Sequence, residues 1–275
     1  RHSRSGLSTG RYQRRFWLHG GVRCRKIFGR VTLEVSVPYL DPNSIWFPDP
    51  GDALKEPNGL IAAGGSLSTE WLLKAYRQGI FPWYEEGQPI LWWSPDPRLI
   101  LLPGDFRVSK SLRKLARKHV YEISFDKNFS GVLNGCKHGY RKLEGTWITN
   151  DIAVAYTNLH LQGIAHSVEV WSSSSLVGGL YGIAVGKVFF GESMFSKVDN
   201  ASKLALFYLI LHLKEWGFEF IDCQVHSNHL ESLGALEIPR CEFMEKLEAL
   251  IGGKPENEEW QVDQRLISNI NTYYE

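Results

Sequence analysis

The stretches GESMFS, residues 191–196, and FIDCQ, residues 220–224, organise this sequence around two carboxylates. Each places an acid, Glu192 in the first and Asp222 in the second, in or beside a strongly apolar run. An isolated buried carboxylate is costly unless it is hydrogen-bonded, paired or used in chemistry. We therefore expect the two stretches to face each other across a cleft that the rest of the chain surrounds.

Side chains alternate between the two faces of a strand, and this divides the predicted strand 218–225. One face carries Phe220, Asp222 and Gln224, and the other carries core residues such as Ile221. The first face changes from aromatic to polar, as expected where a strand leaves the core and enters a cleft. The alternative is that Asp222 and Gln224 only cap a neighbouring loop.

The composition is that of an ordinary globular protein. The 275 residues have an apolar fraction of 43% and a mean hydropathy of −0.22, enough for a sizeable core in one or two domains. No apolar run approaches the roughly 20 residues that span a bilayer. Four cysteines lie far apart without a CxxC pair, which favours reduced thiols in a cytoplasmic protein over disulfides or a zinc site.

Basic charge is concentrated at the N-terminus. Residues 1–30 hold nine of the 31 Lys and Arg residues and no acid, which leaves 22 basic against 30 acidic residues in the remainder. We predict that residues 1–40 are a basic extension, mostly disordered or non-native. A targeting peptide and an RNA-binding arm are the alternatives.

A second basic cluster lies on the predicted helix 109–119. Because the chain beyond residue 30 is net acidic, RNA contact requires a local patch, and five cations in nine residues supply one. The alternative is a solvated surface helix. The predicted tRNA-binding residues are Lys110, Arg113, Lys114, Arg117 and Lys118.

Hydrophobic periodicity predicts helices and strands in mixed order. A sheet, a buried helix, a strand and further helices indicate an α+β or mixed α/β fold. The proline-dense segment 89–98 marks a junction between a small N-terminal domain, 41–97, and a larger domain, 98–275. The predicted helices are 69–78, 109–119, 150–161, 201–216, 228–233 and 240–251, and the predicted strands are 166–171, 176–185, 187–190 and 218–225.

Two common catalytic motifs are missing. Ser193 and Ser196 do not lie in a Gly-x-Ser-x-Gly elbow, which argues against a serine hydrolase. His166, His226 and His229 lack the HExxH spacing of metal sites, so each is expected to be structural.

Several strings occur together and in order between residue 47 and about residue 240. They include FPDPGDALKEPNGLIAAGG, QPILWWSPDPR, GTWI, LVGGLYGIAVGKVFFGESMFS, IDCQV and SLGALEIPR. With these strings the chain resembles the leucyl/phenylalanyl-tRNA–protein transferases, bacterial enzymes of the N-end rule pathway. The resemblance implies a small N-terminal domain followed by an acyltransferase domain of the GCN5-related N-acetyltransferase (GNAT) fold. It also implies that no metal or coenzyme is used.

The resemblance further implies an activity and its partners. The family transfers Leu or Phe, and less well Met, from the 3′ end of Leu-tRNA or Phe-tRNA to an N-terminal Arg or Lys of an acceptor protein. The product is a degradation signal. We expect a monomer that does not bind membranes.

The resemblance assigns roles to individual residues. Asp222 and Gln224 would promote attack by the acceptor amine, and Glu192 would bind the acceptor. Because an acceptor with N-terminal Arg or Lys carries two positive charges, Glu192 and Asp222 are two anions suited to meet them. The predicted substrate-binding residues, which would hold the terminal adenosine and an apolar aminoacyl side chain, are Trp83, Trp147, Leu180, Phe189, Ile221 and Tyr76.

Three other functions stay open at this point. An acyl-CoA-dependent relative would need a pyrophosphate-binding Arg/Gln-x-x-Gly-x-Gly/Ala loop, and the sequence has no such string. Another tRNA-dependent aminoacyl transferase would share the fold but fits the quoted strings poorly. A non-enzymatic RNA-binding module would use the basic helix and exposed tryptophans, and it would leave the carboxylates unexplained.

Overall fold

The computed structural model describes residues 21–25, 34–139, 147–256 and 259–268. Within these ranges the chain forms two sheets and eight α-helices. The strands are β1 (Gly21–Arg25), β2 (Glu34–Leu40), β3 (Leu60–Gly64), β4 (Phe81–Pro82), β5 (Leu91–Trp93), β6 (Arg98–Leu101), β7 (Glu122–Phe125), β8 (Ala165–Ser172), β9 (Ser175–Val185), β10 (Val188–Ser196), β11 (Phe220–Gln224) and β12 (Leu236–Ile238). The helices are α1 (Thr69–Arg77), α2 (Lys110–Arg117), α3 (Phe129–Lys137), α4 (Asn150–Leu161), α5 (Ala201–Glu215), α6 (Asn228–Ser232), α7 (Arg240–Leu250) and α8 (Gln264–Ser268).

The first sheet has the strand order β1–β2–β3–β5–β4. In it β2 runs parallel to β3, with Leu40 opposite Gly64, and Leu40 is completely buried. Strand β2 falls inside the predicted extension of residues 1–40, so the end of that segment belongs to this sheet. Residues 1–20 and 26–33 of the predicted extension lie outside the described residues.

The second sheet has the strand order β12–β6–β11–β10–β9–β8–β7. Strands β10 and β11 are parallel, whereas the other neighbouring pairs are antiparallel. A parallel pair requires a crossover connection, and the 15-residue helix α5 provides it. Helix α5 is apolar on most sides because it is buried along nearly its whole length.

The second sheet has an apolar cluster on each face. One face packs against α2 and α5 and is called here the α5 face. The other packs against α1, α3, α4 and α7 and is called the α4 face. Side chains alternate as a strand requires: Phe190 and Phe220 lie on the α4 face, and Phe189 and Ile221 lie on the α5 face. The α4-face cluster continues into the first sheet, so residues of both sheets surround any site on the α4 face.

The mixed α/β class is confirmed, and most predicted elements are found close to their expected bounds. Ser68 and Asn200 occupy the N-cap positions of α1 and α5, but neither side chain makes a capping hydrogen bond. The largest difference concerns β10, which was expected to end at Phe190 and continues to Ser196. The polar string after Phe190 is therefore part of a strand.

The two sheets meet at residues 94–97, between β5 and β6. We propose that the boundary between the domains 41–97 and 98–275 lies in this segment. Asn58 supports the junction from the first domain, because its side chain is hydrogen-bonded to the backbone of Asp96 at both its oxygen and its nitrogen.

Two compositional expectations concern thiols and membranes. Cys136, Cys223 and Cys241 are free thiols, as predicted. Across the described ranges, no helix is both long enough and apolar enough to cross a membrane.

Candidate active site

The candidate site lies where β10 and β11 separate. Their parallel pairing ends at Phe190 and Asp222. Beyond this pair each strand has an irregularity against its other neighbour, between Gly191 and Ser193 in β10 and between Asp222 and Gln224 in β11. A bulge inserts an extra residue and redirects the side chains around it. The two stretches that the sequence singles out thus open a gap between adjacent strands at their carboxyl ends.

The bulge in β10 places two consecutive side chains on the α4 face. Glu192 contacts Tyr76 of α1 and Tyr156 of α4. Burial raises the pKa of the Cys136 thiol of α3, and Ser193 beside it lowers that pKa. In a regular strand one of the two would point to the α5 face. The bulge therefore allows Glu192 to reach donors from both domains.

Glu192 is held by three neutral hydrogen-bond donors. Tyr76 Oη donates to Oε1 at 2.7 Å, and Tyr156 Oη donates to Oε2 at 3.0 Å. Gln224 Nε2 donates to Oε1 at 3.3 Å. Among the described residues, no Lys, Arg or His side chain makes a hydrogen bond or ion pair with this carboxylate. Its negative charge has no direct counter-ion there.

Burial raises the pKa of Glu192 to about 7 because it disfavours the charged carboxylate. The Tyr76 and Tyr156 hydroxyls lower this pKa, Asp222 raises it, and Arg98 lowers it. The pKa values of the two tyrosines are themselves well above 10, first because of burial and then because of the Glu192 charge, so both remain donors. Glu192 therefore changes its charge near neutral pH.

Asp222 has a different partner, a buried cation. Arg98 Nε donates to Oδ1 at 2.8 Å and Arg98 Nη2 donates to Oδ2 at 2.7 Å, and both side chains are completely buried. Phe81 and Phe243 flank the guanidinium, with ring centroids 4.9 Å and 4.6 Å from its central carbon. This two-pronged geometry fixes both groups. The charge of Asp222 is thus balanced inside the protein.

Gln224 connects the two carboxylates. Its backbone N–H donates to Asp222 Oδ1 at 3.0 Å, and its side chain reaches Glu192. The backbone of Gln224 has a φ of 60°, a left-handed conformation that is unfavourable for a residue with a side chain. The expectation that the two stretches meet is confirmed, and Gln224 is the residue that joins them.

Two residues of the site were not predicted from sequence, Arg98 and Tyr156. Arg98 is the only charged residue in β6, where it leads an apolar run, and this pattern was a usable signal for a buried cation. Tyr156 lies on the buried face of α4 among other core residues, and nothing in the sequence distinguishes it from them. Its hydroxyl lies 2.5 Å from that of Tyr76.

The predicted substrate-binding residues divide between the two faces of the sheet. Leu180, Phe189 and Ile221 are buried in the α5-face cluster, and Phe189 is paired with Ile221 across β10 and β11. Tyr76 lies on the α4 face beside Glu192. The two groups therefore belong to different apolar clusters.

The two predicted tryptophans lie on segments that are hydrogen-bonded to each other. Trp83 is 43% exposed, and its ring centroid is 5.7 Å from that of Trp93. Trp147 packs against the α4-face cluster. Tyr84, which follows Trp83, and Thr149, the N-cap of α4, are joined by a hydroxyl–hydroxyl hydrogen bond of 3.2 Å. An exposed aromatic surface therefore lies at the start of α4.

The basic helix α2 packs on the α5 face through Leu112 and Ala116. Arg113 is partly buried, while the other four predicted tRNA-binding cations are exposed. Helix α2 thus lies on the opposite face of the sheet from Glu192. The exposed cations are Lys110, Lys114, Arg117 and Lys118.

Comparison with known proteins identifies this chain as an aminoacyltransferase. The family model described as leucyl/phenylalanyl-tRNA protein transferase matches residues 100–248, and the model for the N-terminal domain of that family matches residues 65–96.

The chain belongs to the leucyl/phenylalanyl-tRNA protein transferase family. It is 52% identical over 231 residues to the leucyl/phenylalanyl-tRNA–protein transferase of Nitrosospira multiformis, covering 84% of this chain and 99% of that protein. It is 56% identical over 206 residues to the protein of the same name from Methylococcus capsulatus, covering 74% of this chain and 88% of that protein.

The solved structures that match this chain are more distant. A GCN5-related N-acetyltransferase from Kribbella flavida has a TM-score of 0.34 at 11% identity, over 59% of this chain and 58% of that one. A structure described as L-PGS from Bacillus licheniformis has a TM-score of 0.38 at 13% identity, over 71% of this chain and 74% of that one.

Proposed function

We propose that this enzyme transfers Leu or Phe, and less well Met, from Leu-tRNA, Phe-tRNA or Met-tRNA to the α-amino group of an N-terminal Arg or Lys. The product is a protein marked for degradation by the N-end rule pathway. The enzyme acts as a monomer in the cytoplasm and requires no metal or coenzyme.

One observation carries the choice of acceptor: Glu192 is a partly buried acid with three neutral donors and no direct counter-ion among the described residues. An acceptor that begins with Arg or Lys brings cationic groups. Binding one of them supplies the missing counter-charge and replaces water lost on burial with a charge-assisted hydrogen bond. An acceptor that begins with Ala lacks the side-chain cation and gains less.

The chemical step is aminolysis of an activated ester. The neutral α-amine nitrogen forms a bond with the ester carbonyl carbon, the carbon–oxygen bond to the tRNA ribose breaks, and the ribose oxygen leaves with a proton while the amine loses one. A free α-amino group has a pKa of about 7.7–8.0, so its deprotonation is cheap near neutral pH. Positioning can lower the barrier by about 7–11 kcal/mol. A general base contributes about 10²–10⁴-fold in rate, which corresponds to about 3–5 kcal/mol and is the smaller effect.

The geometry fits a positioning role for Asp222 and Gln224. Asp222 is completely buried and engaged by Arg98, so it is poorly placed to remove a proton from a substrate. Its Oδ1 instead holds the Gln224 N–H and with it the left-handed backbone of Gln224. The Gln224 side chain then presents its amide beside Glu192, where the acceptor amine would be oriented.

Donor recognition uses apolar surface and local positive charge. Leu180, Phe189 and Ile221 offer apolar side chains near the gap between β10 and β11, and size and apolarity alone discriminate weakly, which fits tolerance of both Leu and Phe. Trp83 and Trp147 are suited to stack on the terminal adenosine. The exposed cations of α2 are suited to contact tRNA phosphates.

A radiolabelled transfer assay tests the proposal directly. Phe-tRNA and acetyl-CoA are compared as donors, and peptides that begin with Arg or Ala are compared as acceptors. We expect transfer only from Phe-tRNA and a strong preference for the Arg-initiated peptide. Transfer from acetyl-CoA, or equal use of the two peptides, would contradict it.

A further inference from the structure

We propose that Arg98 is a positioning residue for the transfer reaction: it holds Asp222 so that Asp222 can fix the backbone of Gln224 in its left-handed conformation. The proposal rests on the proposed function, since it assigns Gln224 to the orientation of the acceptor amine. Among the described residues, the Arg98 side chain is hydrogen-bonded to Asp222 and to neither Glu192 nor Gln224, so it acts through Asp222.

The geometry of the pair leaves Asp222 little freedom. Its Oδ1 accepts from both Arg98 Nε and the Gln224 N–H, at 2.8 Å and 3.0 Å, while Oδ2 accepts from Arg98 Nη2. The guanidinium therefore sets the plane of the carboxylate, and the carboxylate sets the position of the Gln224 amide. A lysine supplies a point charge and lacks the fixed two-pronged geometry.

Arg98 is itself fixed from three directions. It begins β6, which pairs with β11, and its guanidinium lies between Phe81 of β4 in the first sheet and Phe243 of α7. Its Nη1 is buried without a hydrogen-bond partner among the described residues. Burial of Arg98 thus leaves its Nη1 donor unsatisfied.

Stability alone does not account for this pair. A buried ion pair is weak support for a fold, because apolar residues of similar volume often replace it without loss. The pair lies beside the bulge of β11, and it holds the one strand residue there that has a left-handed backbone. These positions favour a role in geometry at the site.

A charge-neutral double variant tests the inference. Arg98→Met leaves a buried carboxylate without its partner, and Asp222→Asn leaves a buried cation without its partner. The double variant removes both charges but retains a carbonyl oxygen at residue 222 that can accept from the Gln224 N–H. Single-turnover transfer from Phe-tRNA to an Arg-initiated peptide is measured for all four proteins, together with the unfolding temperature and tRNA affinity.

We expect Arg98→Met and Asp222→Asn each to lower the transfer rate at least about a hundredfold, and the double variant to stay at least about thirtyfold below the parent even where its unfolding temperature recovers, because no guanidinium then sets the plane of the side chain at residue 222. Arg98→Lys should recover only part of the loss. A double variant within about threefold of the parent would show that Arg98 only neutralises a buried charge, and a fully active Arg98→Met would show that Arg98 is dispensable. Either result overturns the proposal.

A second measurement does not depend on transfer activity. The Gln224 amide should exchange its hydrogen at least about tenfold faster in Arg98→Met and stay unprotected in the double variant, as read by NMR. Unchanged exchange in Arg98→Met contradicts the proposal even if the protein proves inactive on Phe-tRNA. Failure of the parent to use Phe-tRNA, by contrast, contradicts only the proposed function. The exposed pair Arg265–Asp263, with a 2.6 Å contact, is the matched control, and Arg265→Met with Asp263→Asn should change neither readout.

Discussion

Glu192 and Asp222 are two acids in one site, linked through Gln224, yet their surroundings differ in one respect. Asp222 has a buried arginine and is completely enclosed with it. Glu192 has only hydroxyl and amide donors, and its pKa is raised to about 7. This difference indicates which acid is available to a cationic ligand. Asp222 already has its cation, so the acceptor completes the environment of Glu192.

The comparison predicts that removal of Asp222 has the largest effect. Asp222→Ala should lower the single-turnover transfer rate about 10²–10⁴-fold, because Gln224 loses its anchor and Arg98 is left as a buried unpaired cation. The affinity for tRNA should stay within about twofold. Asp105→Ala, at an exposed acid, is the control. An unchanged transfer rate would show that transfer does not require Asp222.

Loss of charge at Glu192 should affect the acceptor in particular. Glu192→Gln keeps the shape of the side chain but removes the anion and replaces one acceptor oxygen with an N–H donor. We expect the KM for an Arg-initiated peptide to rise about 10–100-fold, in line with the loss of one charge-assisted hydrogen bond, while the KM for an Ala-initiated peptide changes little. Equal effects on both peptides would show that Glu192 does not read acceptor charge.

The α2 cations should affect binding of the tRNA and not of the acceptor. Reversal of charge at Lys110, Lys114, Arg117 and Lys118 should weaken tRNA binding about tenfold or more and flatten its salt dependence, because fewer counterions are released. The KM for the acceptor peptide should not change. A salt dependence equal to that of the parent would reduce α2 to an ordinary surface helix.

The smallest effect is expected at Gly191, which precedes Glu192 in β10. A Cβ there would lie 3.6 Å from Ile221 Cγ2 and 3.7 Å from the Asp222 carbonyl, which is ordinary contact, so the fold does not require glycine. If a substrate approaches this backbone, Gly191→Ala should lower transfer about threefold to tenfold without lowering the unfolding temperature. Gly104→Ala, where a Cβ meets nothing within 4 Å, is the control. An unimpaired Gly191→Ala would place the substrate further from β10.

Sequence predicted most of the secondary structure and the juxtaposition of the two stretches, because periodicity and apolar runs are local signals. It failed where a bulge interrupts alternation, and so β10 was expected to end at Phe190, before Glu192. The partners of the Tyr156 hydroxyl and of the Arg98 guanidinium could be assigned only from the fold, because each partner is distant in sequence. Alternation correctly placed Asp222 but could not show that its charge was already paired.

The most direct test is an NMR titration of the Glu192 carboxyl carbon, free and with saturating Arg-initiated peptide. In the free protein the pKa should be about 7. A bound cation favours the charged carboxylate, so the pKa should fall by at least about one unit, and by linkage the Arg-initiated peptide should bind more tightly as pH rises from 6 to 8. An Ala-initiated peptide should shift the pKa less. A Glu192 pKa that does not move on binding the Arg-initiated peptide would contradict the claim that Glu192 receives the acceptor's positive charge.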